Sequence, residues 1–281
     1  MRRELDLFLR KRLPPRVYKT AITYWRYRLY WQQRAAARSV TRRPSVEGFP
    51  ETGGLVDQLY DINVLAPTPM CLAMLWHGSD KSLLMHNYTT IYNAFLGNSR
   101  RKPLRIFELG LGSNSSEFAY NMGAHGIPGA SLRAWKALFP NARIFGADID
   151  RASLFQEDRI QTSYCDQLDK VAIEQMWSRP GFGDGMDVII DDGLHTFEGN
   201  TVFLHESLRH LRPGGIYVVE DIATSTLPRW REFLASNGSL RSPEYECALV
   251  QLPSEYNHSD NNLLLIRRQE TERAKGAAHE D

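Results

Sequence analysis

The chain has 281 residues, 42% hydrophobic and 24% charged, with a formal net charge of +1, the composition expected of an ordinary soluble globular protein. Its three cysteines (Cys71, Cys165, Cys247) show no CxxC or zinc-type spacing, and no run of 18 apolar residues occurs, which argues against a disulfide scaffold and a membrane-spanning helix and for a cytoplasmic protein. The charge is unevenly spread: residues 1–43 carry 13 Lys/Arg against Glu4 and Asp6, which leaves 21 basic and 31 acidic residues for the remainder.

In chain order, residues 1–50 form a basic helical extension, broken at Pro14–Pro15. Charges interrupt its apolar runs, so it is no secretory signal. The segment YKTAITYWRYRLYWQQR is read first as a helix packing its Tyr/Trp face on the domain or a second subunit, with solvated arginines. Peripheral contact of residues 1–43 with an anionic membrane is the alternative, and nucleic acid is not expected as a partner. Arg43–Pro44 to Gly53–Gly54 reads as a linker. Helical periodicity follows in LVDQLYDINVL and KSLLMHNYTTIYNAFL, with the polar loop WHGSDK between them.

From residue 103 short apolar runs alternate with helical patterns. PLRIFELG, NARIFGADI, MDVIIDDG and GGIYVVEDI are the strongest strands, SLRAWKALF, VAIEQMW and NTVFLHESLRHL the helices, and CALVQLP with NLLLIRR suits a closing hairpin. This alternation predicts a mostly parallel sheet covered on both faces by helices, over residues 51–268. The polar tail 269–281 reads as disordered. Ligands of such sheets bind beyond the carboxyl ends of the strands, and the four strongest strands end in Glu108, Asp148, Asp191–Asp192 and Glu220–Asp221.

Gly110 and Gly112 after the first strand permit a tight turn and close approach of backbone to a ligand. A dinucleotide fingerprint is incomplete, because its third glycine position is Ser115. Asp148 is placed to accept from a ribose diol, Asp166 and Gln167 to read an adenine edge, and Glu108 to meet a positive amine rather than a phosphate. Together these favour S-adenosylmethionine over a nicotinamide cofactor, although a nicotinamide-dependent oxidoreductase and a non-catalytic scaffold stay open as alternatives. Each aspartate has a plainer account as a cap of the following turn.

Acids ending two neighbouring strands, about 4.8 Å apart, predict a hard cation, Mg²⁺ first and Mn²⁺ or Ca²⁺ as alternatives. Successive side chains of a strand face opposite ways, so Asp192 is the better ligand while Asp191 orients the turn or touches the cofactor. Pairing of Glu220 or Asp221 with Lys81 is the competing account. His195, three residues beyond Asp192, is the candidate general base.

The run from WHGSDK to VVEDI resembles the metal-dependent sugar O-methyltransferases of macrolide and aminocoumarin antibiotic biosynthesis. HGSDKSLLMHNYTTIY, GASLRAWKALFPNARIFGADI, DDGLH and GGIYVVED carry the match, over roughly residues 74–225. The resemblance implies a Rossmann-like class I methyltransferase fold with a seven-stranded, mostly parallel sheet. It implies metal ligands Asp192, Glu220 and Asp221 and the base His195. It further implies cofactor contacts around Glu108, Gly110, Asp148 and Asp166, with Lys81, His86 and Tyr88 near cofactor or acceptor; Gly112, Ser131, Gln167, Asp191 and Lys81 complete the residues expected at the cofactor. The implied acceptor is a glycosylated small molecule; the basic N-terminal segment adds a lipid-linked sugar as an alternative acceptor, and a homo-oligomer is expected. Leu194 departs from the small polar residue usual in the DDGSH turn, and the basic N-terminal segment has no counterpart in the pattern.

Overall fold

The computed structural model describes residues 12–36, 40–49, 51, 53–82, 86–118, 121–123, 126–254 and 257–270. The start of the basic extension and the tail from residue 271, expected to be disordered, lie outside the described residues.

The helix α1 (Pro15–Ala36) opens with proline at its first position, where the missing N–H costs no bond. It is followed by β1 (Ser45–Phe49), α2 (Gly54–Tyr60), α3 (Pro69–His77) and α4 (Tyr88–Leu96). The alternating part runs β2 (Arg105–Leu109), α5 (Ala130–Leu138), β3 (Arg143–Asp148), β4 (Gln156–Glu157), β5 (Ile160–Tyr164), α6 (Lys170–Trp177), β6 (Met186–Asp191), α7 (Phe197–Ser207) and β7 (Leu211–Val219). The helix α8 (Leu227–Ser236) leads to β8 (Tyr245–Gln251) and β9 (Asn262–Arg268).

One sheet holds nine strands in the order β1-β8-β9-β7-β6-β2-β3-β5-β4. The central run from β5 to β7 is parallel, and β9 joins it antiparallel to β7. The expected class holds, with two strands more than the expected seven, both on the margins. Short β4 pairs with β5, and β1 pairs with β8 over five residues, from Ser45 opposite Gln251 to Phe49 opposite Cys247. Residues 45–49 were expected within a linker. They form a strand because Val46 packs against the core while β8 offers an otherwise open edge, so the sheet begins before residue 51.

Both faces of the sheet are apolar, and strand parity divides them. Ile106, Ile144, Val188, Ile190 and Val218 point to the side covered by α2, α3, α4 and α5. Phe107, Phe145, Ile189, Tyr217 and Val219 point to the side of α6, α7 and α8, where Trp177, Phe203 and Trp230 fill the layer.

The helix α1 buries Ile22, Leu29 and Tyr30, and Tyr30 packs with Cys71 and Leu75 of α3. Of its other aromatics, Tyr24 is 70% exposed, Tyr27 44% and Trp31 44%, while Tyr18 and Trp25 are half-buried. The expectation that the Tyr/Trp face would lie on the domain is therefore met in full by Tyr30, in part by Tyr18 and Trp25, and not by Tyr24, Tyr27 and Trp31. Seventh-residue spacing sets 22 and 29 on one side of the helix and 17, 24 and 31 on the other. No helix among the described residues is long and apolar enough to cross a membrane.

Candidate active site

A cavity of about 330 Å³ lies at the carboxyl ends of the parallel strands, where a doubly covered sheet offers backbone groups and loops to a ligand. Of the expected site residues it is lined by Lys81, Gly110, Gly112, Ser131, Asp148, Asp166, Gln167, Asp192, His195 and Asp221. Glu108, Asp191 and Glu220 stand behind its wall, each at most 1% exposed.

The first end of the cavity is built by backbone. Gly110 has φ +89° and Gly112 φ +82°, conformations open chiefly to glycine. A side chain at 110 would also collide, since a Cβ there falls 1.9 Å from the Asp192 carbonyl oxygen. The Gly110 N–H donates to the Ala147 carbonyl (2.8 Å), which ties the turn to β3. Asp148 at the tip of β3 accepts the Leu111 N–H at Oδ2 (2.7 Å) and the Asp150 N–H at Oδ1 (2.8 Å). Burial raises its carboxyl above the ordinary range against the pull of these backbone donors. Ile149 and Leu168, largely exposed, add apolar surface beside it. Asp166 accepts the Leu168 N–H (2.9 Å), an Asx-turn that shapes its own loop. The helix cap next along is Asp169, which accepts from Val171.

Several expected cofactor contacts turn out to brace the walls. Glu108 shares the α4 side of the sheet. Its Oε1 accepts the Ser131 hydroxyl (2.5 Å) and its Oε2 the Trp135 indole N–H (2.7 Å), both from α5, so it offers no face to the cavity. Asp191 points to the opposite side. It accepts the Gln167 amide (2.8 and 3.0 Å) and the Asn200 amide (3.2 Å), and burial lifts its carboxyl to about 7. Gln167 also accepts the Leu194 N–H (2.7 Å), so both ends of its amide are engaged with the strand-six turn while the residue lines the cavity. Asp191, weighed as orienting the turn or touching the cofactor, is thus fully buried and bonded to Gln167 and Asn200.

The other end is built by charge. Lys81, 2% exposed, extends its ammonium between Asp192 (2.5 Å) and Glu220, with Glu108 at 3.5 Å. Glu220 additionally accepts the Tyr92 hydroxyl (2.5 Å) at its other oxygen. Glu220, expected as a third metal ligand, is thus occupied at both oxygens, and Lys81, expected at the cofactor, is the cation of a buried acid cluster. Burial by itself would lower the lysine, but Asp192, Glu108 and Glu220 overcome that and hold it well above its usual value. Burial, reinforced by mutual repulsion, pushes Glu108, Asp192 and Glu220 upward.

Asp192, His195 and Asp221 bring one ligating atom each within 4.8 Å of one another. His195 Nε2 lies 3.8 Å from Asp221 Oδ2. Both His195 (φ +57°) and Asp221 (φ +53°) sit in the left-handed region, which costs a non-glycine residue on the order of 1–3 kcal/mol and persists only where the surroundings impose it. Asp221 is steadied from behind by the Tyr88 hydroxyl, which donates to Oδ1 (2.7 Å), and by His86 Nδ1 at 3.3 Å. His86 stacks on Tyr88 with centroids 4.8 Å apart.

Sequence reasoning missed Tyr92, Trp135 and Asn200. The signal for the first lay in YTTIY, where Tyr88 and Tyr92 at i, i+4 share the helix face turned to the acids. Ser131 and Trp135 repeat that spacing on α5 and converge on Glu108.

No family model matches the chain. Over 144 residues it is 35% identical to demethylmacrocin O-methyltransferase of Streptomyces fradiae, a stretch covering 51% of this chain and 34% of that protein. Over 157 residues it is 34% identical to the 8-demethyl-8-alpha-L-rhamnosyl tetracenomycin-C 2'-O-methyltransferase of Streptomyces olivaceus, covering 56% and 38%. The matched stretch is thus little more than a third of the length of these relatives. Among solved structures, the MycE methyltransferase from the mycinamycin biosynthetic pathway, in complex with Mg, SAH and mycinamycin VI, superposes with a TM-score of 0.54 at 26% identity, covering 78% of this chain and 59% of that one. The chain has the Rossmann-like methyltransferase fold and is similar to sugar O-methyltransferases of natural-product pathways.

Proposed function

We propose that this chain transfers a methyl group from S-adenosylmethionine to a sugar hydroxyl of a glycosylated natural product, glycolipid or polysaccharide, with a divalent cation, Mg²⁺ first, at the acid end of the cavity. The observation that carries the reading is the continuity of one cavity from the Gly110–Gly112 turn and Asp148 to Asp192, His195 and Asp221. The donor end fits a nucleoside with an extended tail. Two left-handed glycines put bare backbone on the cavity wall, a rigidly held carboxylate suits a ribose diol, and apolar side chains flank it. The acid end suits a hard cation because Asp192 and Asp221 bring carboxylate oxygens within 4.8 Å of each other and of the His195 ring, and Asp221 is held there in strained backbone.

Bound S-adenosylmethionine supplies an electrophilic methyl group, and bound Mg²⁺ acidifies a neighbouring hydroxyl. Asp192 and Asp221 are the proposed cation ligands. Lys81 holds Asp192 by ion pairing, and Tyr88 orients Asp221. His195, on the cavity wall beside them, would accept the acceptor hydroxyl's proton at Nε2, leaving the oxygen free to displace S-adenosylhomocysteine from the methyl carbon. Fixing the acceptor oxygen in line with the donor supplies much of the remaining rate. Lys81 acts through Asp192, and Glu220 through Lys81, rather than on the reacting atoms.

Calorimetry with S-adenosylhomocysteine and, separately, NADH tests the reading. Binding of S-adenosylhomocysteine alone is expected, and methyl transfer lost to EDTA and restored by Mg²⁺. Binding of NADH alone refutes the donor, and full activity after chelation removes the cation.

A further inference from the structure

We propose that α1 is a docking surface for an anionic lipid bilayer. Its outward stripe consists of Val17, Tyr24, Tyr27, Arg28, Trp31 and Arg34, all exposed. These positions recur at intervals of three, four and seven, so they follow one side of the helix for nearly five turns, about 25 Å. The inward side is separately satisfied by Ile22, Leu29 and Tyr30, and the Arg26 guanidinium donates to the Leu75 carbonyl (3.2 Å). The stripe is therefore left over after the fold has taken what it needs. A continuous exposed patch of this kind marks an interaction surface rather than ordinary solvent-facing polarity.

Its chemistry selects the occupant. Tyrosine and tryptophan carry an apolar ring with a polar edge and settle at the headgroup level, and arginine stems extend along apolar surface while the guanidinium reaches phosphate. The helix Pro15–Ala36 contains no acidic residue, and residues 1–43 carry 13 Lys/Arg against two acids, while the rest of the chain has an acidic excess. The acid-free helix is what an anionic headgroup layer requires, each basic residue at the surface being worth about fivefold in partitioning. A second copy of this chain would set the same basic stripe against itself across a two-fold axis, like charge facing like. Nucleic acid would need open ring faces for base stacking. Tyr27 and Trp31 instead meet edge-on (5.9 Å, 71°), and the Arg34 guanidinium covers the Trp31 ring at 5.1 Å.

The surface also bears on the cavity. The α3 helix, against which α1 packs, ends at Gly78 in a left-handed cap and runs directly into Ser79, Asp80 and Lys81, which line the cavity. A bilayer held by α1 would lie one helix away from the cavity wall. An acceptor with a lipid anchor would then be delivered at the site, a consequence that rests on the proposed methyl transfer, whereas the docking itself does not.

Co-sedimentation of the full chain with vesicles of phosphatidylcholine alone and of phosphatidylcholine with one quarter phosphatidylglycerol tests the surface. Binding to the anionic vesicles is expected to exceed that to the neutral ones by more than tenfold and to weaken with salt. The triple substitution Tyr24→Ser, Tyr27→Ser, Trp31→Ser is expected to lower anionic binding on the order of tenfold or more. Circular dichroism and S-adenosylhomocysteine affinity should stay unchanged, which separates lost docking from lost folding. The pair Arg28→Glu, Arg34→Glu should lower it further. Equal binding of wild type and both variants overturns the proposal. So does equal affinity for neutral and anionic vesicles, or a triple variant whose only change is a smaller oligomeric mass or weaker binding to a short RNA.

Discussion

The two ends of the cavity are built by opposite means. The donor end rests on backbone, with two left-handed glycines and a carboxylate, Asp148, whose oxygens are each held by a backbone N–H. The acid end rests on charge, with Glu108, Asp192 and Glu220 gathered on one lysine and Asp221 beside them. A backbone-built pocket tolerates its ligand's absence, because its polar groups are already paired. A pocket of converging buried carboxylates needs a cation, and here the Lys81 ammonium supplies it for Glu108, Asp192 and Glu220 while Asp221 stands beside them. The donor end thus supplies shape and the acid end supplies affinity for charge, with His195 where the two meet.

Four substitutions break or sharpen that contrast. The largest effect is expected from His195→Ala, a roughly hundred- to ten-thousandfold loss of turnover with calorimetric binding of S-adenosylhomocysteine unchanged. Next is Lys81→Met, which leaves buried carboxylates without their cation. A loss of roughly 3–5 kcal/mol in chemical denaturation is expected, part of it recovered by added Mg²⁺ if the ion occupies the same field.

Asp148→Asn acts on the donor end alone. It should weaken S-adenosylhomocysteine by about 1.5–3 kcal/mol in calorimetry and leave cation affinity as it was. The smallest effect lies outside both ends, at His210, which stacks on Trp177 at 4.5 Å and whose burial, with Arg209 beside it, depresses it from 6.5 to about 4. The folded state prefers the neutral ring, so the stabilisation is complete above pH 6.5 and is lost as pH falls from 6.5 through 4. After discounting for its partial exposure, His210→Gln should flatten the pH dependence of stability in that window by about 1 kcal/mol.

Much of this was legible in the chain. FELG, FGAD, IIDD and YVVED end on acids at one edge of the sheet because parallel strands must all finish on the same side. Strand parity separated Asp191 from Asp192. What parity alone does not tell is which acids reach the cavity: Glu108 and Glu220 share a side with Asp192 yet are closed off by α4 and α5. Those closures depend on partners far away in sequence, Lys81 lying 111 residues from Asp192 and 139 from Glu220. The helix α3 went unread although Thr68–Pro69 is a sound start and Gly78 a sound stop. The strand β1 went unread because SVEGF is short and carries a glycine, and only the open edge of β8 makes it a strand. In α1 aromatics occur on every side, so periodicity could not choose the buried face, and the contact with Cys71 and Leu75 does.

The most direct test of the central claim is a crystal of the full chain soaked with S-adenosylhomocysteine and Mn²⁺, read by anomalous scattering. The account predicts the nucleoside along Gly110–Gly112 with its ribose on Asp148, and one manganese peak between Asp192 and Asp221 within reach of His195. A manganese peak elsewhere, or none while Lys81 keeps Asp192, together with the nucleoside outside this cavity, would contradict it.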